Sequence, residues 1–208
     1  MGTLVRLMRG IEETPELDDR ELVRAIRDGQ SQEFETLVRR KTGKVYGICV
    51  RVVGNAEDAK DVSQLSFVRI WENLEKYDPS FAFDTWMYRI VTNVAIDWLR
   101  TRQSRESAVN SSLRLVKTSA EADQGLSFQR KEVERVFEDV SSVLSPKQKT
   151  IFVMREMEDL SSAEISRVLG CRESTVRNHL FNARKLMQEE LRRRYPEYAG
   201  LFSGGRSS

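Results

Sequence analysis

The sequence predicts an all-α protein with two small helical domains, an N-terminal helical bundle and a C-terminal helix-turn-helix bundle, joined by a flexible linker. In almost every patterned segment the apolar residues recur at spacings of three and four, the period of a helix with one buried face. Proline occurs only 4 times in 208 residues. A Ser-rich tract separates the patterned blocks, so we expect independent domains at 16–104 and 131–195 and a linker at 105–130.

The N-terminal domain begins with two helices. Asp18 or Asp19 can cap the first helix, and Gly29 ends it because glycine readily adopts the left-handed conformation that follows a helix. Ser31 opens a second helix that Gly54 ends. The apolar face of the second helix consists of Phe34, Leu37, Val38, Val45, Ile48, Cys49 and Val52.

Two further helices complete the N-terminal domain. The run Asn55–Asp58 resembles a capping box and starts the third helix. A loop around Pro79 follows, and Asp84 is expected to cap the fourth helix. The inward stripe of the fourth helix consists of Met87, Ile90, Val91, Val94 and Trp98.

The C-terminal domain carries stronger start signals. A helix begins near Lys131. The runs Ser145–Gln148 and Ser161–Glu164 each place Gln or Glu three residues after a serine, which is the signature of a capping box. The short helix opened by the second box ends at Gly170, and a final helix runs from Glu173 into a group of arginines.

The last two helices read as a helix-turn-helix, in the stretch LSSAEISRVLGCRESTVRNHLFNARKLMQEEL. The inner face of the second helix consists of Val176, Leu180, Ala183 and Met187. The opposite face presents Arg172, Ser174, Arg177, Asn178, Phe181 and Lys185, with His179 at its boundary. Arginine and asparagine make bidentate contacts to guanine and adenine edges, as a helix in the major groove requires. An ordinary helical hairpin is the alternative.

Positive charge is concentrated in the final helix. The whole chain has a net charge of +2, whereas residues 172–194 contain seven Lys or Arg against three acidic residues. A basic segment in a nearly neutral chain favours a polyanionic partner, although a solvated helix face gives the same pattern.

The stretch YDPSFAFDTWMY holds five aromatic residues around a Pro-Ser loop. One side of the helix that follows carries Trp86, Arg89, Asn93, Asp97 and Arg100. This mixture of a ring, guanidinium groups and an amide suits single-stranded DNA, because rings stack on unpaired bases and cations follow the phosphates. Phe81 and Phe83 can either cover the core or wall a pocket for an extruded base.

The sequence carries no signal for a membrane span, a secretory leader, a metal site or a catalytic centre. No apolar run approaches the ~18 residues of a membrane span, and the N-terminus lacks a signal-peptide cleavage site, so we expect a cytoplasmic protein. Cys49 and Cys171 lack the spacing of a metal site or a disulfide framework and are expected in the core. Nucleotide-binding, hydrolase and metalloprotease motifs are absent, which argues against an enzyme and against a cofactor.

Three stretches of the chain resemble one known family. EDAKDVSQLSFVRIWENLEKYDP, FAFDTWMYRIVTNVAIDWLR and LSPKQKTIFVMREMEDLSSAEISRVLGCRESTVRNHLFNARKLM are similar to regions two and four of the bacterial RNA polymerase sigma factors. The absence of further domains is similar to the extracytoplasmic-function (ECF) group. The resemblance covers residues 16–104 and 131–192 and implies a specificity subunit for transcription initiation. The implied partners are core RNA polymerase, promoter DNA in duplex and single-stranded form, and an anti-sigma protein.

The resemblance also implies roles for individual positions. Contacts to core polymerase are implied for Asp58, Asp61, Gln64, Leu65, Phe67, Arg69 and Trp71. Contacts to the single-stranded minus-ten element are implied for Ser80, Phe81, Phe83, Trp86, Arg89, Asn93, Asp97 and Arg100. Contacts to the duplex minus-thirty-five element are implied for Arg172, Ser174, Thr175, Arg177, Asn178, His179, Phe181 and Lys185.

Two other classes of protein compete with this interpretation. A conventional helix-turn-helix repressor or activator would bind a palindromic duplex as a dimer and without polymerase. An enzyme would require a clustered catalytic constellation that the sequence lacks. A sigma factor instead contributes binding energy that is larger for the melted promoter than for the closed one, and so shifts the equilibrium toward opening.

Overall fold

The computed structural model describes residues 17–109 and 128–198, with side chains at 17–105 and 132–198. In these ranges the regular structure is helical throughout, as predicted. The helices are α1 (Asp19–Arg27), α2 (Glu33–Val53), α3 (Ala56–Asn73), α4 (Phe83–Val109), α5 (Phe128–Ser141), α6 (Pro146–Glu156), α7 (Ser162–Leu169) and α8 (Glu173–Arg194). A 3₁₀ turn at Leu74–Lys76 follows α3. We refer to α1–α4 as the front bundle and to α5–α8 as the rear bundle.

The front bundle is organised around α2, which packs against α1, α3 and α4. Its fully buried side chains include Leu22, Leu37, Val45, Ile48, Val52, Val62, Ile70, Met87 and Val91. These residues meet in one core because their spacing places them on one side of each helix. The stripe predicted on α4 faces inward, since Met87 and Val91 are fully buried, and Ile90, Val94 and Trp98 pack at the edge of the core.

Several of the predicted helix starts are confirmed by their caps. The Asp18 carboxylate accepts a hydrogen bond from the Glu21 amide at 2.8 Å, and the Glu21 carboxylate accepts one from the Asp18 amide. The Asn55 side chain accepts a hydrogen bond from an amide in the first turn of α3 at 2.9 Å. Reciprocal capping boxes start α6 at Ser145 and α7 at Ser161. These side chains satisfy amides that the first turn of a helix leaves unpaired.

Two expected helix starts differ in the structure. α2 begins at Glu33, with Gln32 rather than Ser31 at its N-cap position. α4 begins at Phe83, which places Asp84 inside the first turn instead of at the cap. The Asp84 carboxylate accepts hydrogen bonds from two lysines of α2, and this pairing replaces the expected capping role.

The helices on either side of the predicted linker extend into it. α4 continues to Val109 instead of ending at residue 104, and α5 begins at Phe128 instead of near Lys131. The apolar period fades before Val109, but the Arg, Gln, Glu and Ala residues found there favour helix even without a buried face. The central part of the predicted linker, residues 110–127, lies outside the described residues.

The front and rear bundles pack against each other. α4 contacts α6 and α7, and α2 contacts α6. Glu158, in the loop after α6, accepts hydrogen bonds from the Arg51 guanidinium at 3.0 Å and from the Tyr88 hydroxyl at 3.2 Å. The buried side chains of both bundles form one continuous core. The two predicted domains are therefore in contact in this structure. A tether limits how far two domains separate and does not prevent their contact.

Gly54 allows the bundles to approach closely. This residue ends α2 with a φ of 77°, in the left-handed region that disfavours a side chain. A Cβ atom at this position would lie 2.7 Å from Glu138 Oε1 and 3.3 Å from Lys149 Nζ, both in the rear bundle. Glycine therefore suits both the end of α2 and the contact between the bundles.

Candidate nucleic-acid interface

The helix-turn-helix forms as the sequence predicts. α7 ends at Leu169 and is capped by Gly170, whose φ of 60° turns the chain toward α8. Ile165 of α7 and Val176 of α8 are fully buried, and Leu180 is only 6% exposed. These side chains fix α8 against the rest of the rear bundle, so the opposite side of α8 faces outward.

The outer face of α8 carries the residues expected to read duplex DNA. Two of these residues, Thr175 and His179, are half-buried at the edge of the face. The others are exposed, and they are Arg172, Ser174, Arg177, Asn178, Phe181 and Lys185. The Phe181 ring is 69% exposed, and an aromatic ring of this kind can contact a thymine methyl group. Arg177 pairs with Glu173 at 3.0 Å, an exposed ion pair that is weak enough to be exchanged for a DNA contact.

Only part of the positive charge on α8 is available to DNA. The Glu190 carboxylate accepts hydrogen bonds from Arg193 and Arg194 at the C-terminal end of the helix. These hydrogen bonds, the one from Arg193 foremost, lower the pKa of Glu190 to about 2, so this residue is ionised at neutral pH. Arg172 and Arg177 are the exposed cations at the N-terminal end of α8, which is the part of a recognition helix that contacts base edges.

The aromatic residues of the front bundle divide into a buried set and an exposed one. Tyr77 and Phe83 are each 3% exposed, with ring centroids 5.4 Å apart. Trp86 is half-buried, and its ring lies 5.5 Å from that of Tyr77 and 5.6 Å from that of Phe83. Of the two alternatives for Phe83, the structure shows the one that covers the core. This corrects the expectation that Phe83 contacts DNA, because the neighbouring side chains enclose its ring.

Phe81 is the exposed member of this group, with 47% of its surface accessible. The Tyr77 hydroxyl donates a hydrogen bond to the Phe81 carbonyl at 2.7 Å, and the Asp78 carboxylate accepts one from the Ser80 amide at 2.9 Å. These bonds hold the loop backbone between the 3₁₀ turn and α4. The loop therefore presents the Phe81 ring to solvent, where it offers a stacking surface to an unpaired base.

A polar and cationic face of α4 continues from this loop. Arg89, Asn93, Asp97 and Arg100 are all exposed on one side of the helix. The side chains of Asp97 and Arg100 are 3.8 Å apart. We refer to Ser80, Phe81, Trp86, Arg89, Asn93, Asp97 and Arg100 together as the loop–α4 face.

An ion cluster holds the start of α4 onto the bundle. Lys41, whose side chain is 8% exposed, bonds Asp19 of α1 and also Asp84 of α4, the latter at 2.6 Å. Lys44 reaches Asp84 at 2.5 Å. Burial alone would raise the pKa of Asp84, but the hydrogen bonds from both lysines outweigh burial and hold the pKa below its ordinary value. The cluster thereby joins α1, α2 and α4.

Replacing Asp84 with asparagine is expected to lower the free energy of unfolding by roughly 1–3 kcal/mol at neutral pH, because a part-buried charged partner of Lys41 is lost. The pKa of Asp84 is lower in the folded chain than in the unfolded one. Its contribution is therefore complete above the ordinary value of 3.8 and is lost as the pH falls through the folded pKa. Urea unfolding of both chains at neutral and acidic pH measures this difference.

Asp97 provides the control for this prediction. Its side chain is 76% exposed beside Arg100, so Asp97→Asn is expected to change stability by less than about 0.5 kcal/mol. Equal losses from Asp84→Asn and Asp97→Asn would show that the ion cluster does not anchor α4.

A third exposed surface lies on α3. Asp61, Gln64, Leu65, Val68 and Trp71 are exposed on one side of the helix, and we call these five residues the α3 strip. Leu65, Val68 and Trp71 are 39%, 51% and 46% exposed and form an apolar row on the surface of α3. Val68 is missing from the residues predicted by sequence, although it lies midway between Leu65 and Trp71 at helical spacing.

The other residues predicted to contact polymerase are less accessible. The Asp58 side chain is 30% exposed and bonds Arg102 of α4 at 2.5 Å. Phe67 is half-buried and packs against the core. Arg69 is exposed and pairs with Glu72 at 2.8 Å. The structure therefore places Phe67 mostly inside and leaves Asp58 and Arg69 at the margin of the α3 strip.

The described ranges show neither a membrane span nor a metal site. None of the helices at 17–109 and 128–198 is both long and apolar enough to cross a bilayer. Within the same residues, no group of three or more His, Cys, Asp or Glu is placed to hold a metal ion. Burial raises the pKa of the Cys49 thiol to about 12, so Cys49 is an unreactive core residue, and Cys171 packs against the same core.

The fold and these faces define a class of protein. A helix-turn-helix with a cationic outer face has the form of a module that reads duplex DNA. An exposed ring beside a cationic helix face suits an unpaired strand. Together they define a DNA-binding transcription factor.

Two family patterns and several relatives identify the family more closely. The pattern of sigma-70 region 2 matches residues 37–105, and that of sigma-70 region 4 matches residues 135–187. The chain is 32% identical over 188 residues to the ECF RNA polymerase sigma-E factor of Haemophilus influenzae, covering 85% of this chain and 96% of that protein. It is 31% identical over 183 residues to the RNA polymerase sigma-H factor of Pseudomonas aeruginosa, covering 83% and 93%. The chain belongs to the ECF group of RNA polymerase sigma factors, which are transcription initiation factors.

Solved structures share the fold. CnrH, in complex with the cytosolic domain of CnrY, matches with a TM-score of 0.60 and 21% identity, over 85% of this chain and 98% of that one. The sigma factor RpoE of Bartonella quintana, in complex with the anti-sigma factor NepR, matches with a TM-score of 0.60 and 15% identity, over 77% and 98%. The match extends over both bundles of the present chain.

Proposed function

We propose that three exposed faces have separate roles in promoter recognition. The α3 strip docks on core RNA polymerase, the loop–α4 face captures the unpaired minus-ten strand, and the outer face of α8 reads the duplex minus-thirty-five element. The observation that carries the proposal is that all three faces are exposed even though the bundles pack together. An exposed apolar row suits a protein partner, whereas cationic faces suit nucleic acid.

In this mechanism the protein supplies binding energy and no chemistry of its own. Core polymerase catalyses RNA synthesis in the cytoplasm, where the promoter lies. Contacts to the loop–α4 face form only after the strands separate, so their free energy favours the open promoter over the closed one. Phosphate contacts set the orientation of the complex, and base contacts give its specificity.

The contact between the bundles must open for both elements to be read at once. Roughly 25 base pairs separate the centres of the minus-ten and minus-thirty-five elements, which is about 85 Å of duplex. A compact chain of this length has a radius of gyration of about 17 Å and is about 45 Å across. The closed arrangement is therefore too short to span the promoter, and binding to polymerase and DNA has to separate the bundles.

An anti-sigma protein is proposed as a further partner. Two solved proteins of this fold are held in complexes, one with the anti-sigma factor NepR and one with the cytosolic domain of CnrY. An apolar partner segment that covers Leu65, Val68 and Trp71 would remove the α3 strip from polymerase. Such a partner would therefore compete with polymerase for the same exposed row.

Transcription in vitro with core polymerase on a library of genomic fragments tests the proposal. Mapped start sites are expected to share an asymmetric upstream sequence in two parts, and the protein is expected to co-elute with polymerase at equal stoichiometry. A free dimer that binds a palindromic duplex without polymerase would favour the conventional repressor or activator, which none of the comparisons supports.

Arg177→Ala and Asn178→Ala are each expected to weaken binding of the holoenzyme to the minus-thirty-five duplex by about 5- to 150-fold. Each side chain is exposed on the outer face of α8, and a bidentate base contact discriminates by about 1–3 kcal/mol. Binding to a set of single-base substitutions in the element measures the loss and shows which base preference disappears.

Arg192→Ala is the control for this pair. It removes the same charge as Arg177→Ala from the exposed C-terminal end of the same helix. We expect Arg192→Ala to act equally on all DNA sequences, because a phosphate contact carries no base preference. If neither Arg177→Ala nor Asn178→Ala changed the base preference, α8 would not be the helix that recognises the minus-thirty-five bases.

Phe81→Ala is expected to leave closed binding intact and to lower the equilibrium constant for promoter opening by about 5- to 150-fold, because base stacking on an aromatic ring contributes about 1–3 kcal/mol. Phe81→Tyr keeps the ring and should open the promoter normally. Permanganate reactivity of unpaired thymines measures opening. Normal melting with Phe81→Ala would contradict the prediction. Trp86→Ala is the less direct test, since Trp86 also packs on Tyr77 and Phe83.

A further inference from the structure

A cavity of about 420 Å³ lies between α1 and the loop that carries Phe81. Arg20, Arg24 and Arg27 of α1 line one side of this cavity, and Pro79 and Ser80 of the loop line another. The three arginines follow one another at spacings of four and three, so they share one side of α1. None of the roles described above uses these arginines.

Arg27 is a fixed cation at the wall of the cavity. Its guanidinium donates hydrogen bonds to the carbonyl oxygens of Leu74 and Tyr77, both at 2.6 Å. The guanidinium also lies 6.0 Å from the centroid of the Tyr77 ring. Glu75 Oε2 is 3.8 Å from the buried Arg27 Nε, which has no hydrogen-bond partner among the described residues. Arg27 thereby ties α1 to the loop and builds one wall of the cavity.

The charge of the cavity favours an anion. Its walls carry the three guanidinium groups and one carboxylate, that of Asp28. Arg20 and Arg24 are exposed, and within residues 17–109 and 128–198 Arg24 forms no salt bridge. Two exposed arginines thus lie beside the fixed guanidinium of Arg27. A planar guanidinium can bind the two oxygens of a phosphodiester as a bidentate pair, so the cavity suits this group.

We propose that this cavity binds phosphodiester groups of the unpaired promoter strand next to the base stacked on Phe81. The proposal rests on the proposed function of the loop–α4 face. Pro79 and Ser80 line the cavity, and Phe81 follows them in the chain. The sugar-phosphate backbone of a strand whose base stacks on Phe81 therefore runs beside Arg20 and Arg24. These phosphate contacts hold the strand in place and carry no base preference.

The test is the salt dependence of binding by the reconstituted holoenzyme to a forked promoter with a single-stranded minus-ten overhang. Each phosphate neutralised on a single strand contributes about 0.7 to the slope of log K against log salt concentration. Arg24→Ala should therefore make the slope shallower by about 0.7, and Arg20→Ala with Arg24→Ala by about 1.4. Arg39→Ala removes another exposed arginine, on α2, and should leave the slope unchanged.

Neutral methylphosphonate linkages in the overhang give a second readout. Next to the captured base, they should weaken binding by the original holoenzyme and have little effect on the double variant. An unchanged slope in the double variant, with Phe81→Ala still impairing opening, would overturn the cavity site and leave the proposed function standing. If Phe81→Ala also had no effect on promoter opening, both the cavity site and the proposed function of the loop–α4 face would be contradicted. Weaker association with core polymerase at an unchanged slope would overturn the proposal in favour of an acidic protein surface.

Discussion

Replacing Val68 with aspartate is expected to weaken the binding of this sigma factor to core polymerase by at least about 30-fold. Val68 is 51% exposed at the centre of the α3 strip, between Leu65 and Trp71. In the proposed complex these three side chains are buried together, and an unpaired carboxylate at such a central position costs about 2–4 kcal/mol. This cost corresponds to about 30- to 1000-fold in Kd. Fluorescence titration against core polymerase measures it.

Val143→Asp is the matched control for the α3 strip. Val143 is 42% exposed in the rear bundle, so the substitution adds the same charge to another exposed valine, and we expect less than about twofold change in affinity. Thermal unfolding of both variants checks that the fold is unchanged. Val68 is a better probe than Trp71, because the Trp71 ring also packs on Phe34 at 4.8 Å. If both valine variants bound polymerase equally well, the docking surface would lie elsewhere.

Local rules predicted most of the helix starts but not the position of Asp84. The cap at Ser161 depends on residues three positions apart, which the sequence shows directly. Asp84 has the same capping chemistry, yet it pairs with Lys41, which is 43 positions away in the sequence. No local pattern reveals such a pair. The contact of Arg51 with Glu158, at a separation of 107 positions, is invisible in the sequence for the same reason.

Helical periodicity predicted the outer face of α8 because its apolar and polar residues alternate cleanly. It gave no such guidance for Phe81 and Phe83, which are two positions apart at the end of a loop, and packing places one outside and the other inside. Val68 was missed because the predicted contacts to polymerase came from the family resemblance, which did not include this position. A helix pattern does not tell whether an apolar residue is buried in the core or exposed on a binding surface. Sites that bind proteins are therefore the hardest to predict from periodicity.

Glu158→Ala is expected to open the closed arrangement of the two bundles. Glu158 is 13% exposed, and its carboxylate accepts hydrogen bonds from Arg51 and Tyr88 of the front bundle. Burial, together with the negative charge of Glu158, raises the pKa of Tyr88, so its hydroxyl stays protonated and donates. Hydrogen bonds to a charged group contribute about 1.5–3 kcal/mol, so the ratio of closed to open forms should fall by about 10- to 150-fold. Small-angle X-ray scattering is expected to show a larger radius of gyration.

The same variant should bind core polymerase more tightly, because only the open form is competent and its population limits the apparent Kd. Glu156→Ala is the control, since Glu156 pairs with Arg184 inside the rear bundle and its loss leaves the contact between the bundles intact. High salt should open the original chain part of the way by screening the pair of Arg51 and Glu158. A radius of gyration that is the same for Glu158→Ala, Glu156→Ala and the original chain would mean that Glu158 does not hold the bundles together. Tighter polymerase binding without expansion would place the effect of Glu158 at the polymerase surface instead.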